Sequence, residues 1–242
     1  MATRLTSIPN TTAAYNKIAK HFANTRQKLW PELEQFKPLI KNGQYILDWG
    51  CGNGRLLALF DGKKINYFGV DISSELLKIA RKNVQSSRRE SVIKFFNSSK
   101  KEKKFAPERF DLIFAVASFF HLPSAPARQK QLQKFFTELK PGGKLIMTLW
   151  NLESDWAKKK RKQDWQKIGP GDYLIPWKDQ SGTAQVWRYY HHFSKLEIIE
   201  LLKKTGFKIE ELKYFTTSEA GVNKWSDEKG GRNLVAVAVK PK

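Results

Sequence analysis

Cysteine, long apolar runs and acidic residues are all scarce in this sequence, and each scarcity excludes a class of protein. Cys51 is the single cysteine among 242 residues, which excludes a disulfide framework and a cysteine-based zinc site. No apolar run approaches the roughly 20 residues that a membrane-spanning helix requires. Segment 1–12 is polar and lacks the apolar centre of a signal peptide. These absences predict a soluble protein of the reducing cytoplasm, with no metal and no membrane partner.

Acidic residues are outnumbered by basic ones, 23 Asp and Glu against 44 Lys and Arg, so the formal charge is +21. Such an excess favours polyanions, because each neutralised phosphate releases condensed counterions. It predicts a nucleic-acid partner, and the alternative is a lysine-rich proteome in which surfaces are basic for genomic reasons. Charge alone does not distinguish tRNA from rRNA or DNA.

A glycine-rich turn is the most informative stretch of the chain. The apolar run Tyr45-Ile46-Leu47 ends in Asp48, glycines follow at 50, 52 and 54, and Leu56–Phe60 has a helical pattern. Alternate glycines allow positive φ and let a ligand approach the backbone, and a strand-to-helix turn presents free N–H groups to it. A plain tight turn is the alternative interpretation.

A second acid, Asp71, follows the apolar segment 66–70 at about the interval where doubly wound folds place a ribose-binding acid. Together with Leu139-Lys140-Pro141-Gly142-Gly143 before a later strand, these motifs resemble those of the class I S-adenosylmethionine-dependent methyltransferases. The resemblance covers residues 44–150 and implies S-adenosylmethionine as cofactor. A strand-end capping acid is the alternative for Asp71.

The resemblance also implies which residues bind the cofactor. The usual acid near adenine is replaced here by Asn97-Ser98, which departs from the pattern of the class. The implied cofactor-binding residues are Asp48, Gly50, Cys51, Gly52, Asn53, Gly54, Asp71, Ile72, Asn97, Ser98 and Ala115.

Strand-like and helix-like segments alternate along the core, as a parallel sheet with crossovers requires. A capping-box pattern then begins a helix at Ser194, Gly206 ends it, and two strand segments close the chain. We expect an α/β fold, a Rossmann-like seven-stranded sheet with helices on both faces, and the resemblance to the methyltransferases implies that the last strand is antiparallel. The predicted strands are 45–48, 67–71, 92–96, 111–117, 144–150, 207–212 and 234–239.

We expect a single methyltransferase domain over residues 1–242. Its parts are an N-terminal helical extension (1–43), a cofactor-binding core (44–150), a substrate-side insertion after strand five (151–192), and a closing helix and strands (193–242). The insertion is rich in aromatic and basic residues but lacks sustained apolar periodicity. Its run Lys158–Lys162 is either an RNA contact or a solvated face.

Stretches outside the common core resemble the tRNA wobble-uridine carboxymethyl methyltransferases. They are Tyr15–Arg26, Trp30-Pro31, Ile175-Pro176-Trp177, Arg188-Tyr189-Tyr190-His191 and Asn233-Leu234-Val235. That family converts a 5-carboxymethyl group on the first anticodon uridine to its methyl ester. A carboxylate is anionic at pH 7 and requires no general base, but it requires donors that hold one oxygen in line with the methyl group.

The resemblance therefore implies donors around the pocket mouth, with arginine best suited to a carboxylate. The implied catalytic residues are Arg26, Arg188, Tyr189 and His121, and the implied substrate-binding residues are His21, Trp177 and His191. Structural alternatives remain: a helix salt bridge for Arg26, a packed insertion for Tyr189, and a packed core side chain for His121.

The resemblance implies the anticodon loop of tRNA as substrate and a small zinc-ribbon activator docked on an edge strand, Val92–Phe96. A monomer that buries this edge is equally allowed. Two other functions stay open: a methyltransferase with a small-molecule acceptor, since a fold does not fix its substrate, and a catalytically silent RNA-binding subunit.

Overall fold

The computed structural model of the chain describes residues 7–85, 91–217 and 223–242. Within these residues the α-helices are α1 (Thr11–Thr25), α2 (Ser74–Gln85), α3 (Ala125–Glu138), α4 (Asp155–Asp164) and α5 (Lys195–Thr205). Shorter 3₁₀ helices span Pro31–Leu39, Arg55–Phe60 and Phe119–His121. The segment after the glycine turn, predicted as a helix, is thus a 3₁₀ helix.

Most of the strands form one central sheet. Its members are β1 (Tyr45–Trp49), β2 (Asn66–Asp71), β3 (Val92–Asn97), β4 (Phe110–Val116), β5 (Leu139–Trp150), β9 (Lys208–Thr217), β10 (Asn223–Ser226) and β11 (Asn233–Val239). They are ordered β10-β9-β11-β5-β4-β1-β2-β3. A second sheet contains β6 (Gln166–Gly169), β7 (Asp172–Lys178) and β8 (Ala184–His191).

The central sheet confirms the predicted Rossmann-like topology and corrects the strand count. β1 to β5 are parallel, and β11 lies antiparallel between β5 and β9 as predicted. The sheet has eight strands rather than seven, because β9 continues to Thr217 and pairs with the short strand β10. Four residues, Asn223–Ser226, are too few to show a period of two in the sequence.

Each face of the central sheet buries an apolar cluster. One cluster joins the sheet to α3 and α5 through Leu132, Phe135, Ile198 and Leu202. The other joins it to the 3₁₀ segments through residues such as Leu33 and Phe60. Burial on both faces explains why β1, β4 and β11 are largely apolar.

The segment predicted as an insertion folds into α4 and the antiparallel sheet β6-β7-β8. The N-terminal helix α1 lies against this sheet: Lys17 Nζ donates to Gln185 O over 3.0 Å. α1 also contacts the start of α2, since Asn16 Oδ1 accepts from Glu75 N at 3.3 Å and from Ser73 Oγ at 2.8 Å. The N-terminal helix α1 and the sheet β6-β7-β8 therefore meet at the carboxyl ends of the parallel strands.

Among the described residues, no helix combines the length and the apolar composition that crossing a membrane requires.

Candidate active site

A pocket of about 190 Å³ opens where β1, β2 and β4 end and α1 and β8 come together. In a parallel sheet, loops at the carboxyl ends of the strands form the usual ligand crevice. The polar residues lining the pocket include Tyr15, Arg26, Asp48, Asn53, Arg55, Asp71, Ser98, Ser118, His121, Arg188 and Tyr190.

The glycine turn forms the floor of the pocket. Gly50 has φ +77°, and a Cβ built there would lie 2.3 Å from the Cβ of Ser118, so only glycine fits. A Cβ on Gly52, with φ +56°, would meet nothing within 4 Å except Phe22 at 3.8 Å. The backbone at Gly52 is therefore open to close approach by a ligand. Gly54 has φ +78° but packs against Ala80 and does not line the pocket.

Asp48 is buried at the end of β1 and lines the pocket. Tyr67 Oη donates a 2.6 Å hydrogen bond to Asp48 Oδ2. Burial raises the pKa of Asp48 to about 7, the neighbouring Asp71 carboxylate adds to the rise, and the Tyr67 hydrogen bond opposes it. A cationic ligand group would find a carboxylate here whose charge is not neutralised by an ion pair within the described residues.

Asp71 ends β2 on the opposite side of the glycine turn. Its Oδ2 accepts from Gly52 N at 2.8 Å and its Oδ1 from Ser73 N at 2.7 Å. Burial raises its pKa, and these backbone hydrogen bonds oppose the rise. An ionised carboxylate offers about four lone-pair sites, so Asp71 retains acceptor capacity for two ribose hydroxyls.

Three of the residues predicted to bind the cofactor do not line the pocket. Besides Gly54, these are Asn97 and Ala115. The Asn97 side chain is used locally, since its Nδ2 donates to Ile72 O at 3.0 Å and its Oδ1 accepts from Ser99 Oγ. Ala115 is fully buried in the strand. Cys51, Asn53, Ile72 and Ser98 do line the pocket.

Three guanidinium groups line the pocket. Arg55 lies over the Trp30 ring, and Arg26 and Arg188 face the pocket without an acidic partner among the described residues. Arg188 is 4% exposed, and its Nη1 donates to Tyr15 Oη over 3.4 Å. Arg26 Nη1 donates to Thr25 O, and burial lowers its pKa, with Arg188 adding to the effect. Among residues 7–85, 91–217 and 223–242, neither forms an ion pair with a carboxylate. A buried charge is costly unless it is paired, so this arrangement favours an anionic ligand.

Trp177 makes cation–π contacts with both arginines. The guanidinium carbons lie 5.4 Å (Arg26) and 4.9 Å (Arg188) from its ring. Trp177 Nε1 donates to His21 Nδ1 at 3.1 Å, and the indole is 8% exposed. Neither Trp177 nor His21 lines the pocket. The substrate-binding role predicted for Trp177 therefore does not fit its buried position, and its contacts support the arginines instead.

His121 lies at the end of the 3₁₀ helix that follows β4. Its Nδ1 is 2.7 Å from Tyr189 O and its Nε2 is 2.8 Å from Tyr15 Oη. Burial lowers the pKa of His121 to about 3, which Arg188 reinforces. The ring is thus neutral at pH 7. Because a carbonyl only accepts, Nδ1 carries the proton, and Nε2 accepts from the Tyr15 hydroxyl.

Strand alternation divides the motif Arg188-Tyr189-Tyr190-His191 between two environments. Successive side chains of a strand point to opposite faces. Arg188 and Tyr190 line the pocket. Tyr189 Oη instead donates to Asp172 Oδ1 at 2.6 Å, and His191 lies between Asp172 and Glu197. The predicted catalytic role of Tyr189 and substrate-binding role of His191 do not fit this placement.

Several pocket residues escaped the sequence-based prediction. Tyr15 and Tyr190 lay in motifs that were recognised, but nothing in the sequence indicates which members face inward. Arg55 directly follows the glycine turn, and nothing in the sequence indicates that it lines the pocket. Ala117 has φ +51°, a conformation that is uncommon without glycine and concentrates at functional sites. Its strain becomes visible only in the backbone geometry.

These residues fit S-adenosylmethionine. The open backbone at Gly52 allows close approach, Asp71 offers acceptors suited to ribose hydroxyls, and Asp48 offers a carboxylate suited to an ammonium group. Fold and site together define a class I S-adenosylmethionine-dependent methyltransferase. The chain matches the methyltransferase domain family over residues 19–212 and belongs to it.

Comparison with known proteins agrees with this assignment. A Schizosaccharomyces pombe tRNA (carboxymethyluridine(34)-5-O)-methyltransferase is 29% identical over 218 residues, covering 83% of this chain and 89% of that protein. Relatives of the same type from Arabidopsis thaliana and Mus musculus are longer, and the chain spans 38% and 24% of their lengths.

Solved structures share the fold. A Methanosarcina mazei S-adenosylmethionine-dependent methyltransferase superimposes with a TM-score of 0.67 at 22% identity, covering 88% of this chain and 99% of that one. A Haloferax volcanii methyltransferase, solved in complex with the Trm112 activator, gives 0.62 at 18% identity, covering 98% of this chain and 100% of that one.

Proposed function

We propose that this enzyme methylates the carboxylate of 5-carboxymethyluridine at the wobble position of tRNA, giving the methyl ester. The observation that carries the proposal is the pair Arg26 and Arg188, two guanidinium groups that lack acidic partners among the described residues. A carboxylate is the methyl acceptor that such a pair binds best. The curated relatives named for this reaction support the same choice.

The pocket residues are suited to hold the acceptor rather than to move protons. S-adenosylmethionine, held by Asp48, Asp71 and the backbone at Gly52, would supply the methyl group on a sulfonium, and transfer to the carboxylate oxygen would leave a neutral thioether. The acceptor carboxylate is already ionised at pH 7, so no proton has to be removed. His121 is neutral and held on both ring nitrogens, which suits it to position Tyr15. Positioning and exclusion of water then provide most of the rate enhancement.

The substrate-binding part of the proposal rests on α1 and β8 rather than on the shared core. Asn53 Nδ2 donates to Arg26 O at 3.0 Å, which fixes the end of α1 to the glycine turn. Arg26 therefore lies beside the cofactor-binding backbone because of a side chain within the glycine motif. Arg188 reaches the same pocket from β8. Both cations line the pocket, which supports their proposed role in binding the acceptor.

Nucleoside mass spectrometry tests the proposal. The purified protein is incubated with S-adenosylmethionine and tRNA that carries 5-carboxymethyluridine, and the digest is searched for the methyl ester. We expect conversion of that nucleoside, and no conversion with tRNA that carries unmodified uridine. Confirmed cofactor binding without conversion, with and without an activator protein, would contradict the proposal and favour a small-molecule acceptor.

We further propose, as part of this function, that the exposed edge of the central sheet binds a small zinc-ribbon activator. β3 is the last strand in the sheet order, and Val92 at its start is 48% exposed. An edge strand with unpaired backbone groups is a template for strand addition. We expect Val92→Glu to weaken co-elution with a zinc-ribbon activator in size-exclusion chromatography. Unchanged co-elution would contradict this docking site. A cytoplasmic location also belongs to the proposal.

A further inference from the structure

Three tryptophans at the carboxyl edge of the central sheet each lie under a cation. Trp30, which lines the pocket, carries the Arg55 guanidinium 4.3 Å above its ring. Trp156 carries Arg232 at 5.3 Å, and Trp225 carries Lys213 at 5.2 Å. Trp156 and Trp225 are 39% and 40% exposed.

Hydrogen bonds join the segments that carry these tryptophans. Asn233 Nδ2 donates to Glu32 Oε1 at 2.5 Å, joining the start of β11 to the segment that follows Trp30. Arg232, the next residue back along the chain, donates its N–H to Phe215 O at 2.9 Å. Phe215 is the strand partner of Trp225. Neighbouring strands lie about 4.8 Å apart, so Arg232 and Trp225 are separated by roughly 10 Å across two strand spacings.

Helix α4 continues this surface with free positive charge. The amide of Asp155 donates to Lys229 O at 2.9 Å, so the start of α4 is attached to the loop between β10 and β11. Lys158 and Arg161 pair with Glu153. Lys159, Lys160 and Lys162 are exposed, and within the part of the chain that the structure describes they have no acidic partner. Their charge is available to a ligand.

We propose that this aromatic–cationic track, defined by Trp30, Trp156, Trp225 and the α4 lysines 159, 160 and 162, binds the RNA strand adjoining the nucleotide in the pocket. The proposal rests on the proposed function, since it takes tRNA as the substrate. Bases of single-stranded RNA stack on aromatic rings, and lysines neutralise the phosphates between them. The track starts at a pocket-lining residue, so a strand whose nucleotide enters the pocket continues onto it.

Charge and composition favour RNA over an acidic protein as the occupant. The exposed aromatics are separated by cations and do not form the contiguous apolar patch typical of protein docking sites. Single-stranded nucleic acid requires this alternation, because each nucleotide offers one π-face and one phosphate. An acidic polypeptide would use the lysines but gain little from the two tryptophans, and this difference is measurable.

The test compares RNA affinity in variants of the intact protein. Lys159/Lys160/Lys162→Gln removes the three unpaired charges of α4. Lys203/Lys204/Lys208→Gln is the matched control: it removes the same charge from exposed positions at the end of α5 and the start of β9, at the opposite edge of the sheet. The probe is a fluorescent, unmodified anticodon stem-loop RNA, titrated at roughly 50 to 200 mM salt.

The plot of log K against log[salt] has a negative slope, and we expect the α4 variant to reduce its magnitude by about 2. Each of the three lost phosphate contacts removes about 0.7. The control variant leaves the slope nearly unchanged. The double variant Trp156→Ala/Trp225→Ala should raise the dissociation constant for RNA about tenfold or more, since stacking is lost. The double variant Trp156→Tyr/Trp225→Tyr should bind RNA like the wild type, because it keeps an aromatic ring at both positions. Unaltered S-adenosylmethionine affinity in every variant verifies the fold.

The outcomes distinguish failure of the track from failure of the proposed function. If the wild type forms the methyl ester but the α4 and control variants lose RNA affinity equally, the track is overturned and the function stands. If the α4 variant alone loses RNA affinity while the wild type forms no ester, the track stands and the function fails. Polyglutamate serves as the acidic-polypeptide probe. If the α4 variant lost affinity for polyglutamate and for RNA equally, and the tryptophan variants had no effect, the track would also be overturned.

Discussion

Tyr15 in the first helix donates a 2.8 Å hydrogen bond to His121, 106 positions further along the chain. The neutral ring of His121 accepts at Nε2 because its Nδ1 proton is held by Tyr189 O. The Tyr15 proton is thereby directed away from the arginines, and its oxygen accepts from Arg188 Nη1 at 3.4 Å. One chain of hydrogen bonds therefore orients the guanidinium that we assign to the substrate carboxylate.

Tyr15→Phe tests this positioning role. The change removes the hydroxyl that links His121 to Arg188 but keeps the ring that packs on Phe22. We expect kcat on tRNA to fall about threefold to tenfold, the effect of one hydrogen bond worth about 1 kcal/mol. S-adenosylmethionine affinity, measured by calorimetry, should not change. Unchanged kcat in Tyr15→Phe would contradict the relay.

Arg188 should be required for turnover and dispensable for cofactor binding. Arg188→Ala removes a buried cation that we assign to the acceptor carboxylate, and we expect a loss of about 2–4 kcal/mol of transition-state stabilisation, taken from kcat/KM on tRNA. Arg188→Lys should recover only part of the lost kcat/KM, because lysine cannot bind a carboxylate in the bidentate geometry of arginine.

Tyr189→Phe is the matched control for Arg188, since the neighbouring side chain points to the other face of β8. It should leave kcat/KM within about twofold of wild type, because the Tyr189 hydroxyl donates to Asp172 outside the pocket. If Arg188→Ala mainly abolished cofactor binding, the assignment of β8 to the substrate would be wrong.

The core of this fold was predictable because its signals are local. A strand ending in Asp48, a glycine turn and a second strand ending in Asp71 are contiguous patterns. Backbone sterics leave few structures open to them, since Gly50 admits no Cβ beside Ser118. The antiparallel last strand was also predicted correctly, but through resemblance to a class rather than from the residues.

The misplaced site residues depend on information that is not local. The motif Arg188-Tyr189-Tyr190-His191 places two side chains in the pocket and two outside it, and which two depends on the register of β8 against β7. Asn97 was expected near adenine, yet its amide bonds to Ile72 O. In both cases the deciding partner is distant in the sequence.

Asp71 should contribute to cofactor affinity through its charge. Asp71→Asn keeps the shape of the side chain but weakens its acceptors, and we expect the dissociation constant for S-adenosylmethionine to rise by a factor that corresponds to about 1.5–3 kcal/mol. Asn97→Ala serves as the control, because Asn97 lies outside the pocket, and its affinity should stay near that of the wild type. Equal effects of the two changes would contradict the assignment of Asp71 to the cofactor.

Cofactor affinity should depend on pH through Asp48. Burial raises the pKa of its carboxyl to about 7 in the free protein, so the group is mostly neutral below that pH. S-adenosylmethionine carries an ammonium group and a sulfonium, and it binds the ionised carboxylate better. Affinity should therefore rise as pH increases through about 7, and below 7 the dissociation constant should grow by up to about tenfold per pH unit.

Calorimetry between pH 5.5 and 8.5 measures this dependence, and two comparisons assign it. Asp48→Asn should bind more weakly and with a flat pH profile. Adenosine, which lacks the charged amino acid group, should bind the wild type with little dependence on pH. The same slope with adenosine would assign the titration to Asp71, whose pKa burial also raises.

His191 should stabilise the fold without taking part in the reaction. Its Nδ1 lies 2.6 Å from Asp172 Oδ1 and its Nε2 3.0 Å from Glu197 Oε1, so it joins β7 and β8 to the first turn of α5. The ring is 6% exposed, and Tyr189 Oη also donates to Asp172. Asp172→Asn leaves Tyr189 Oη or His191 Nδ1 with a poorly matched hydrogen-bond partner. An unsatisfied buried polar group costs about 1–3 kcal/mol.

We therefore expect Asp172→Asn to lower the midpoint of thermal unfolding by several degrees, roughly 2–4 °C for each kcal/mol in a domain of this size. The kcat of the folded variant at 20 °C should match that of the wild type, because none of the three side chains lines the pocket. A large fall in kcat with an unchanged midpoint would return His191 and Tyr189 to the reaction, and the other face of β8 would have to reach the substrate.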